Sequence, residues 1–266
     1  MQNFKINQKT IDDVFYLTQE AGKAVLDIFN QDKVIINHKD DKSPVTNADL
    51  LSNELIFNGL KKITPSIPII SEEFKSFRIK HNFFWLIDPL DGTKEFIEKK
   101  REFTVNIALI LNKIPILGYI DAPALNISYI GSESMGSVKI QNSKKTRIHV
   151  KSNYQDSKTL KVAVSRNHLN NSTIEFLNQI RQPYDIVPVG SSLKFCLIAE
   201  GLADLYPRFG PTYSWDTAAG HAILNFAGGC VKKINGDSLS YSKSKLINPF
   251  FLAATNNFFQ NFNFTI

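Results

Sequence analysis

The 266-residue sequence predicts an α+β chain in two parts. A helix pair lies against a largely antiparallel sheet in residues 1–150, and an α/β half follows in residues 151–266. Three observations predict this arrangement. Apolar residues Val14, Leu17, Ala21, Val25 and Ile28 recur at helical spacing near the start. Two β-rich runs, Thr104 to Ile110 and Ile114 to Ile120, flank the turn pair Asn112-Lys113 and read as a hairpin. After the polar stretch Lys151 to Lys158, strand-like and helix-like segments alternate, which is the rhythm of an α/β unit.

In chain order, Thr10 is expected to cap the opening helix and Asn47 to cap a second one through Leu51, Leu55 and Leu60. Ile67 to Ile70 and Phe83 to Ile87 are short apolar runs of strand type, and further short strands follow the hairpin as far as Val150. The second half reads as a strand from Leu160 to Val164, a helix from Asn171 to Ile180 and a strand from Ile186 to Val189. A helix from Ser191 to Glu200 closed by Gly201 comes next, then one from Asp216 to Phe226 closed by Gly228-Gly229. The Asn/Phe-rich end, Asn256 to Ile266, reads as compositional bias plus a terminal strand.

A hydrophobic content of 43% suffices for a full core. The formal charge of +6 favours anionic partners in general, yet the basic pairs Lys61-Lys62, Lys144-Lys145 and Lys232-Lys233 are scattered along the chain. Solvated faces account for them, and none forms a nucleic-acid motif. Cys196 and Cys230 sit far apart in apolar settings without metal-type spacing, so buried thiols in a reducing compartment are expected. Met1 to Lys5 lack the apolar core of a secretory signal, and no apolar stretch approaches membrane-spanning length. The expected location is cytoplasmic.

The run Asp88-Pro89-Leu90-Asp91-Gly92-Thr93 carries the most chemistry. It places two carboxylates, a hydroxyl and a turn glycine directly behind an apolar strand, so Asp88 is expected to emerge at the strand's C-terminal end. Pro89 fixes one φ and Gly92 permits a conformation that Cβ resists, which lets Asp88, the Leu90 carbonyl and Asp91 converge in one turn. Oxygen-only ligands suit Mg²⁺, while an ordinary Asx turn explains the same residues without a metal. Glu72 and Glu73 follow the apolar Ile69-Ile70, so at least Glu72 is expected to project from the end of a second core strand near Asp88. Asp216 begins a helix, where it reads equally as an N-cap, and Asp49 lies in a first helical turn, where the helix dipole alone would favour it.

Taken in order, Ser43-Pro44-Val45-Thr46 with Ala48-Asp49, Ser71-Glu72-Glu73, Asp88 to Thr93 and Trp215 to Gly220 resemble the inositol monophosphatase superfamily of magnesium-dependent, lithium-sensitive phosphatases. The resemblance covers nearly the whole chain. Within that superfamily, Asp91 to Phe96, Glu102 to Ile110, Gly190 to Leu197 and the stretch from Ala199 to Thr212 are similar to the CysQ-type 3′(2′),5′-bisphosphate nucleotidases. Phe74, Asn47 and Lys42 depart from the usual wording, but none of these changes removes a ligand.

The resemblance implies a layered αβαβα sandwich with the metal site between the halves. It implies more than one Mg²⁺, held by Glu72, Asp88, the Leu90 carbonyl, Asp91 and Asp216. Crowded carboxylates repel one another, and divalent cations keep them ionised while polarising a phosphoryl group and activating water. Asp49 with Thr93 would orient or deprotonate that water, with Glu72 contributing, and the ranking of these roles stays open. Glu72, Leu90, Asp91, Gly92, Thr93 and Asp216 would surround the scissile phosphate, the backbone amides of Gly92 and Thr93 cradling its oxygens. Ser191, Lys194 and Arg208 would hold the 5′-phosphate and ribose side, and His168 the adenine. Lys194 reads alternatively as a solvated helix residue, Arg208 as an ion-pair partner and His168 as structural.

The expected activity is Mg²⁺-dependent conversion of adenosine 3′,5′-bisphosphate to AMP and phosphate, in the nucleotide recycling that accompanies sulfur assimilation. The same chemistry on inositol monophosphate or fructose 1,6-bisphosphate is the alternative. A basic module that binds nucleotides or nucleic acid without turnover is the competing class, supported only by charge. The expected partner is a nucleotide bisphosphate, with no nucleic acid and no transmembrane segment; peripheral attachment at the cytoplasmic face of the inner membrane is an expectation of the resemblance alone. Oligomeric state is not legible.

Overall fold

In the computed structural model the described residues are 6–39, 43–74, 82–152, 158–166, 170–242 and 244–261. Helix α1 (Gln8–Phe29) turns Val14, Ala21 and Val25 inward. Its cap is Asn7, whose side chain accepts the Thr10 backbone N–H at 2.9 Å, so Thr10 is the capped donor and not the cap. A hairpin of β1 (Ile36–His38) and β2 (Pro44–Thr46) leads into α2 (Asn47–Ile63).

Thr46, not Asn47, caps α2, in a capping box with Asp49. The inner face of α2 is Ala48, Ser52, Asn53, Ile56 and Leu60, while Leu51 is exposed and Leu55 half-buried. The expected leucine stripe is displaced because the polar residues of the true face are satisfied. Ser52 donates to the Pro89 carbonyl at 2.8 Å, and Ser71 donates to Asn53 at 2.6 Å.

Next come β3 (Ile69–Ser71), β4 (Phe83–Asp91), the short α3 (Thr93–Ile97), β5 (Thr104–Leu111) and β6 (Ile114–Ala122). They are followed by β7 (Ile127–Ser132), β8 (Gly136–Gln141) and β9 (Lys144–Ile148). Among the described residues these strands form one seven-stranded sheet in sequence order, antiparallel except for the parallel β3–β4 pair. Its central strands are buried on both faces, so they read as continuous apolar runs. In β4, Phe84 and Leu86 join one core and Trp85 and Ile87 the other.

The remaining elements are β10 (Leu160–Ser165), α4 (Asn171–Asn178), β11 (Tyr184–Val189), α5 (Leu193–Ala199), β12 (Leu205–Arg208), α6 (Ser214–Phe226), β13 (Gly229–Lys233), β14 (Phe251–Thr255) and α7 (Asn256–Asn261). Their five strands order as β11-β10-β12-β14-β13. The described part of the Asn/Phe-rich end is therefore helical, and the last strand precedes it. Phe258 and Phe259 bury against the outer face of this sheet together with Phe176 and Leu177 of α4, a packing that outweighs the strand preference of phenylalanine.

The layers run α1/α2, seven-stranded sheet, α5/α6, five-stranded sheet, α4/α7. The αβαβα sandwich is thus the observed architecture. Helix α6 lies directly on the first sheet because Gly118 and Gly131, paired across β6 and β7, leave room for it. A Cβ at Gly118 would sit 2.4 Å from the Ala219 carbonyl oxygen, and one at Gly131 would sit 2.5 Å from Ile223 Cα. Among the described residues no helix is long and apolar enough to cross a membrane.

Candidate active site

Strands β3 and β4 pair with Ser71 opposite Ile87, so Glu72 and Asp88 follow at the same level on neighbouring strands. Strand β4 does not end at Ile87 as expected. It continues to Asp91 through a register shift against β5, with Asp88 opposite Asn106 and Asp91 opposite Thr104. The Asx-turn chemistry is present too, since Asp88 Oδ1 accepts the Leu90 N–H at 3.2 Å. Gly92 then takes φ 89°, a left-handed conformation, and α3 begins at Thr93.

Asp216 arrives from the opposite side, at the first turn of α6. It is the third helical residue and not the cap, and its Oδ2 accepts the Tyr213 N–H at 2.8 Å. Ligand oxygens of Glu72, Asp88 and Asp216 lie within 4.8 Å of one another. Burial, reinforced by Glu72, Asp91 and Asp216, pushes the Asp88 carboxyl well above the usual carboxylate range. Burial and then Asp91 and Glu72 do the same to Asp216. Asp91 is raised to about 6 by burial, with Lys194 opposing the shift.

Such a set fits a hard divalent cation: its donors are all oxygen, they converge, and their mutual repulsion is what a cation would relieve. One fixed cation already borders it. Lys39 Nζ lies 2.7 Å from both Glu72 and Glu73; burial alone would lower its pKa, but the two carboxylates raise it above the ordinary lysine value.

Asp49 sits behind the centre on α2. Its Oδ2 accepts both the backbone N–H of Thr46 at 2.7 Å and the Thr46 hydroxyl at 2.6 Å, leaving Oδ1 3.2 Å from the Thr93 hydroxyl. The same hydroxyl is 3.2 Å from the Leu90 carbonyl. Burial lifts the Asp49 carboxyl to about 6, with the Thr46 bonds pulling it down.

A cavity of about 470 Å³ runs from Glu72, Asp88 and Thr93 to Ser191, Lys194 and Arg208. At that far end polar atoms lack partners. Ser191 Oγ and Arg208 Nε are buried with no hydrogen bond, and Ser191 is held at φ 47°, which a serine adopts reluctantly. Lys194 is 5% exposed, which excludes a solvated helix residue. Its ammonium contacts the Ser191 carbonyl and lies 5.3 Å from the centre of the Tyr206 ring. Burial lowers it to about 8, with Asp91 opposing. Arg208 donates to the Pro211 carbonyl at 2.8 Å. His168 lies outside the described residues.

Four further residues belong to this site that the motif reading did not single out: Lys39, Asn106, Ser192 and Tyr206. The signal for Asn106 was available, since it is an amide within the apolar run of β5. Lys39 carried none, because its contact to Glu72 spans 33 residues of sequence.

A model of the inositol monophosphatase family matches residues 7–257 of this architecture. The chain belongs to the inositol monophosphatase family. Within the family it is 43% identical over 251 residues to "3′(2′),5′-bisphosphate nucleotidase CysQ" of Buchnera aphidicola subsp. Acyrthosiphon pisum, covering 90% of each chain. It is 42% identical over 246 residues to the protein of the same name in Escherichia coli strain K12, covering 91% of this chain and 98% of that one. The crystal structure of CysQ from Bacteroides thetaiotaomicron superposes with a TM-score of 0.79 at 35% identity, covering 96% of this chain and 99% of that one. For an inositol monophosphatase family member, the acidic group between the sheets and α6 is the natural place to look for phosphate-ester chemistry.

Proposed function

We propose that the chain is a Mg²⁺-dependent 3′(2′),5′-bisphosphate nucleotidase that removes the 3′-phosphate of adenosine 3′,5′-bisphosphate to give AMP. Its role would be nucleotide recycling in sulfur assimilation. The observation that carries this reading is the two-ended cavity. Converging carboxylates occupy one end, and Ser191 Oγ, Arg208 Nε and the buried Lys194 ammonium occupy the other. A monophosphate would leave the second end unused.

Glu72, Asp88, the Leu90 carbonyl, Asp91 and Asp216 would hold more than one Mg²⁺, which supplies Lewis-acid stabilisation of charge on the phosphoryl and leaving oxygens. The residues of the chain do the rest. Asp49 Oδ2 is committed to Thr46, so Oδ1 is the acceptor that faces Thr93. A carboxyl lifted to about 6 is largely ionised at neutral pH yet close enough to accept a proton passed through the Thr93 hydroxyl. Gly92, at φ 89°, would let the loop backbone approach the phosphate, and Glu72 would contribute beside the attacking water. Ser191, Lys194 and Arg208 fix the 5′-phosphate and so aim the 3′-ester at the carboxylates.

In this reading residues 1–150 contribute Asp49, Glu72, Asp88 and Asp91, and residues 151–266 contribute Asp216 and the second phosphate site. The test compares adenosine 3′,5′-bisphosphate with adenosine 3′-monophosphate in Arg208→Met. Losing a charged hydrogen bond to the second phosphate should raise KM for the bisphosphate by about 10- to 100-fold, with KM for the monophosphate unchanged. Equal effects on both substrates would contradict the assignment.

A further inference from the structure

Strand β5 carries two polar side chains at its site end, Thr104 and Asn106, both almost fully buried. Asn106 stands between the two ends of the cavity. Its Nδ2 donates to Asp91 Oδ2 over a long 3.4 Å, and its Oδ1 accepts the Ser192 hydroxyl at 2.8 Å. Ser192 Oγ is in turn 2.9 Å from Thr104 Oγ1. The direction of the chain follows from donor inventory. Thr104 donates to Ser192, Ser192 donates to the Asn106 carbonyl, and the Asn106 N–H is left for the carboxylate.

The two bonds of this amide are not independent. Half a turn about its last torsion would set the amide oxygen against the acceptor-only carboxylate of Asp91 and would turn the Ser192 hydroxyl from donor to acceptor of the amide. The Asp91 bond is then lost and the Ser192–Thr104 pair must reverse. Asp91 therefore sets which end of the amide it meets, and the Ser192 hydroxyl, 2.8 Å from the amide oxygen, anchors the other end and so limits where the N–H can point. Ser192 adjoins Ser191, whose strained backbone and unpartnered hydroxyl mark the second phosphate site.

We infer that Asn106 is a positioning residue coupling the two ends of the site, with Ser192 holding its amide so that Asp91 keeps one orientation. The inference rests on the function proposed for this cavity. It makes a specific demand: a change at Ser192, which touches no carboxylate, must be felt by a cation at Asp91. Outer partners of ligating carboxylates typically govern metal affinity by about 10- to 100-fold.

The test is calorimetric and needs no turnover. Mg²⁺ is titrated into nucleotide-free protein and AMP into metal-free protein, for the wild type, Ser192→Ala, Asn106→Leu and the double variant. Ser192→Ala should weaken Mg²⁺ on the order of tenfold, and Asn106→Leu at least as much. The double variant should bind Mg²⁺ no more weakly than Asn106→Leu alone, because the chain is already cut. Mg²⁺ affinity within twofold of wild type in Ser192→Ala would overturn the coupling, as would effects that multiply in the double variant. Should Asn106→Leu fail to fold, Ser192→Ala decides alone. Wild-type protein that binds neither Mg²⁺ nor AMP would overturn the proposed function and this inference together, whereas wild-type binding with an unaffected Ser192→Ala would overturn the inference only.

Discussion

Single residues in this chain differ mainly in whether their charge has an answer. Asp121 is 6% exposed on β6, and its Oδ2 faces Gly22 of α1 so closely that a Cβ there would lie 1.9 Å away. Ser128 donates to its other oxygen at 2.6 Å, and burial still pushes the carboxyl up to about 7. The folded state thus prefers the protonated form. Stability tied to this group is full below the unfolded value near 3.8 and declines as pH rises toward 7. Asp121→Asn should therefore be nearly neutral at pH 4 and stabilising at pH 8 by up to about 4 kcal/mol, one pKa unit being about 1.4 kcal/mol. Urea midpoints at the two pH values check this, and a gain independent of pH would contradict it. The contrast with Asp88, Asp91 and Asp216 is instructive. Those carboxylates were legible because they share short runs with turn residues, whereas Asp121 looks like any strand residue until Gly22 is seen against it. Lys39 had no local signal for a related reason, since its partner Glu72 is distant in sequence, whereas Asn106 was marked by its place within the apolar run of β5.

At the scale of elements, periodicity showed that α1 and α2 exist but not where they start. Asn7, Thr10, Thr46 and Asn47 are all competent caps, and the choice depends on which side chain reaches which amide. The inner face of α2 was misread because Ser52 and Asn53 are buried by design of their partners, Pro89 and Ser71, which tie the helix to the strands that carry the carboxylates. Helix α6 is positioned by absence of bulk. Gly131→Ala places a methyl against Ile223, and overpacking of this kind costs about 1–3 kcal/mol. Because α6 delivers Asp216, the same change should weaken Mg²⁺ binding as well as lower the thermal midpoint. Loss of stability with unaltered Mg²⁺ affinity would show that the helix shifts without carrying its first turn along.

Among the described residues the two large sheets hold α5 and α6 between them, and the site lies where the connections from both of these sheets meet that middle layer. Hairpins of the first sheet were readable because their strands are neighbours in sequence. The order β11-β10-β12-β14-β13 was not, since β14 pairs with a strand more than forty residues earlier and its place depends on which faces remain to be covered. Only the resemblance of the motifs anticipated the five layers. That assembly puts Glu72, Asp88 and Asp91 at the end of the first sheet and Asp216, Ser191, Lys194 and Arg208 across the same cavity, and the proposed nucleotidase reading assigns the last three to the second phosphate. The most direct test is phosphate release from adenosine 3′,5′-bisphosphate, inositol 1-phosphate and fructose 1,6-bisphosphate, each with Mg²⁺ and with chelator. The account predicts rapid release from the nucleotide, much slower release from the two sugar phosphates and none with chelator; release that favours a sugar phosphate, or that survives removal of Mg²⁺, would contradict it.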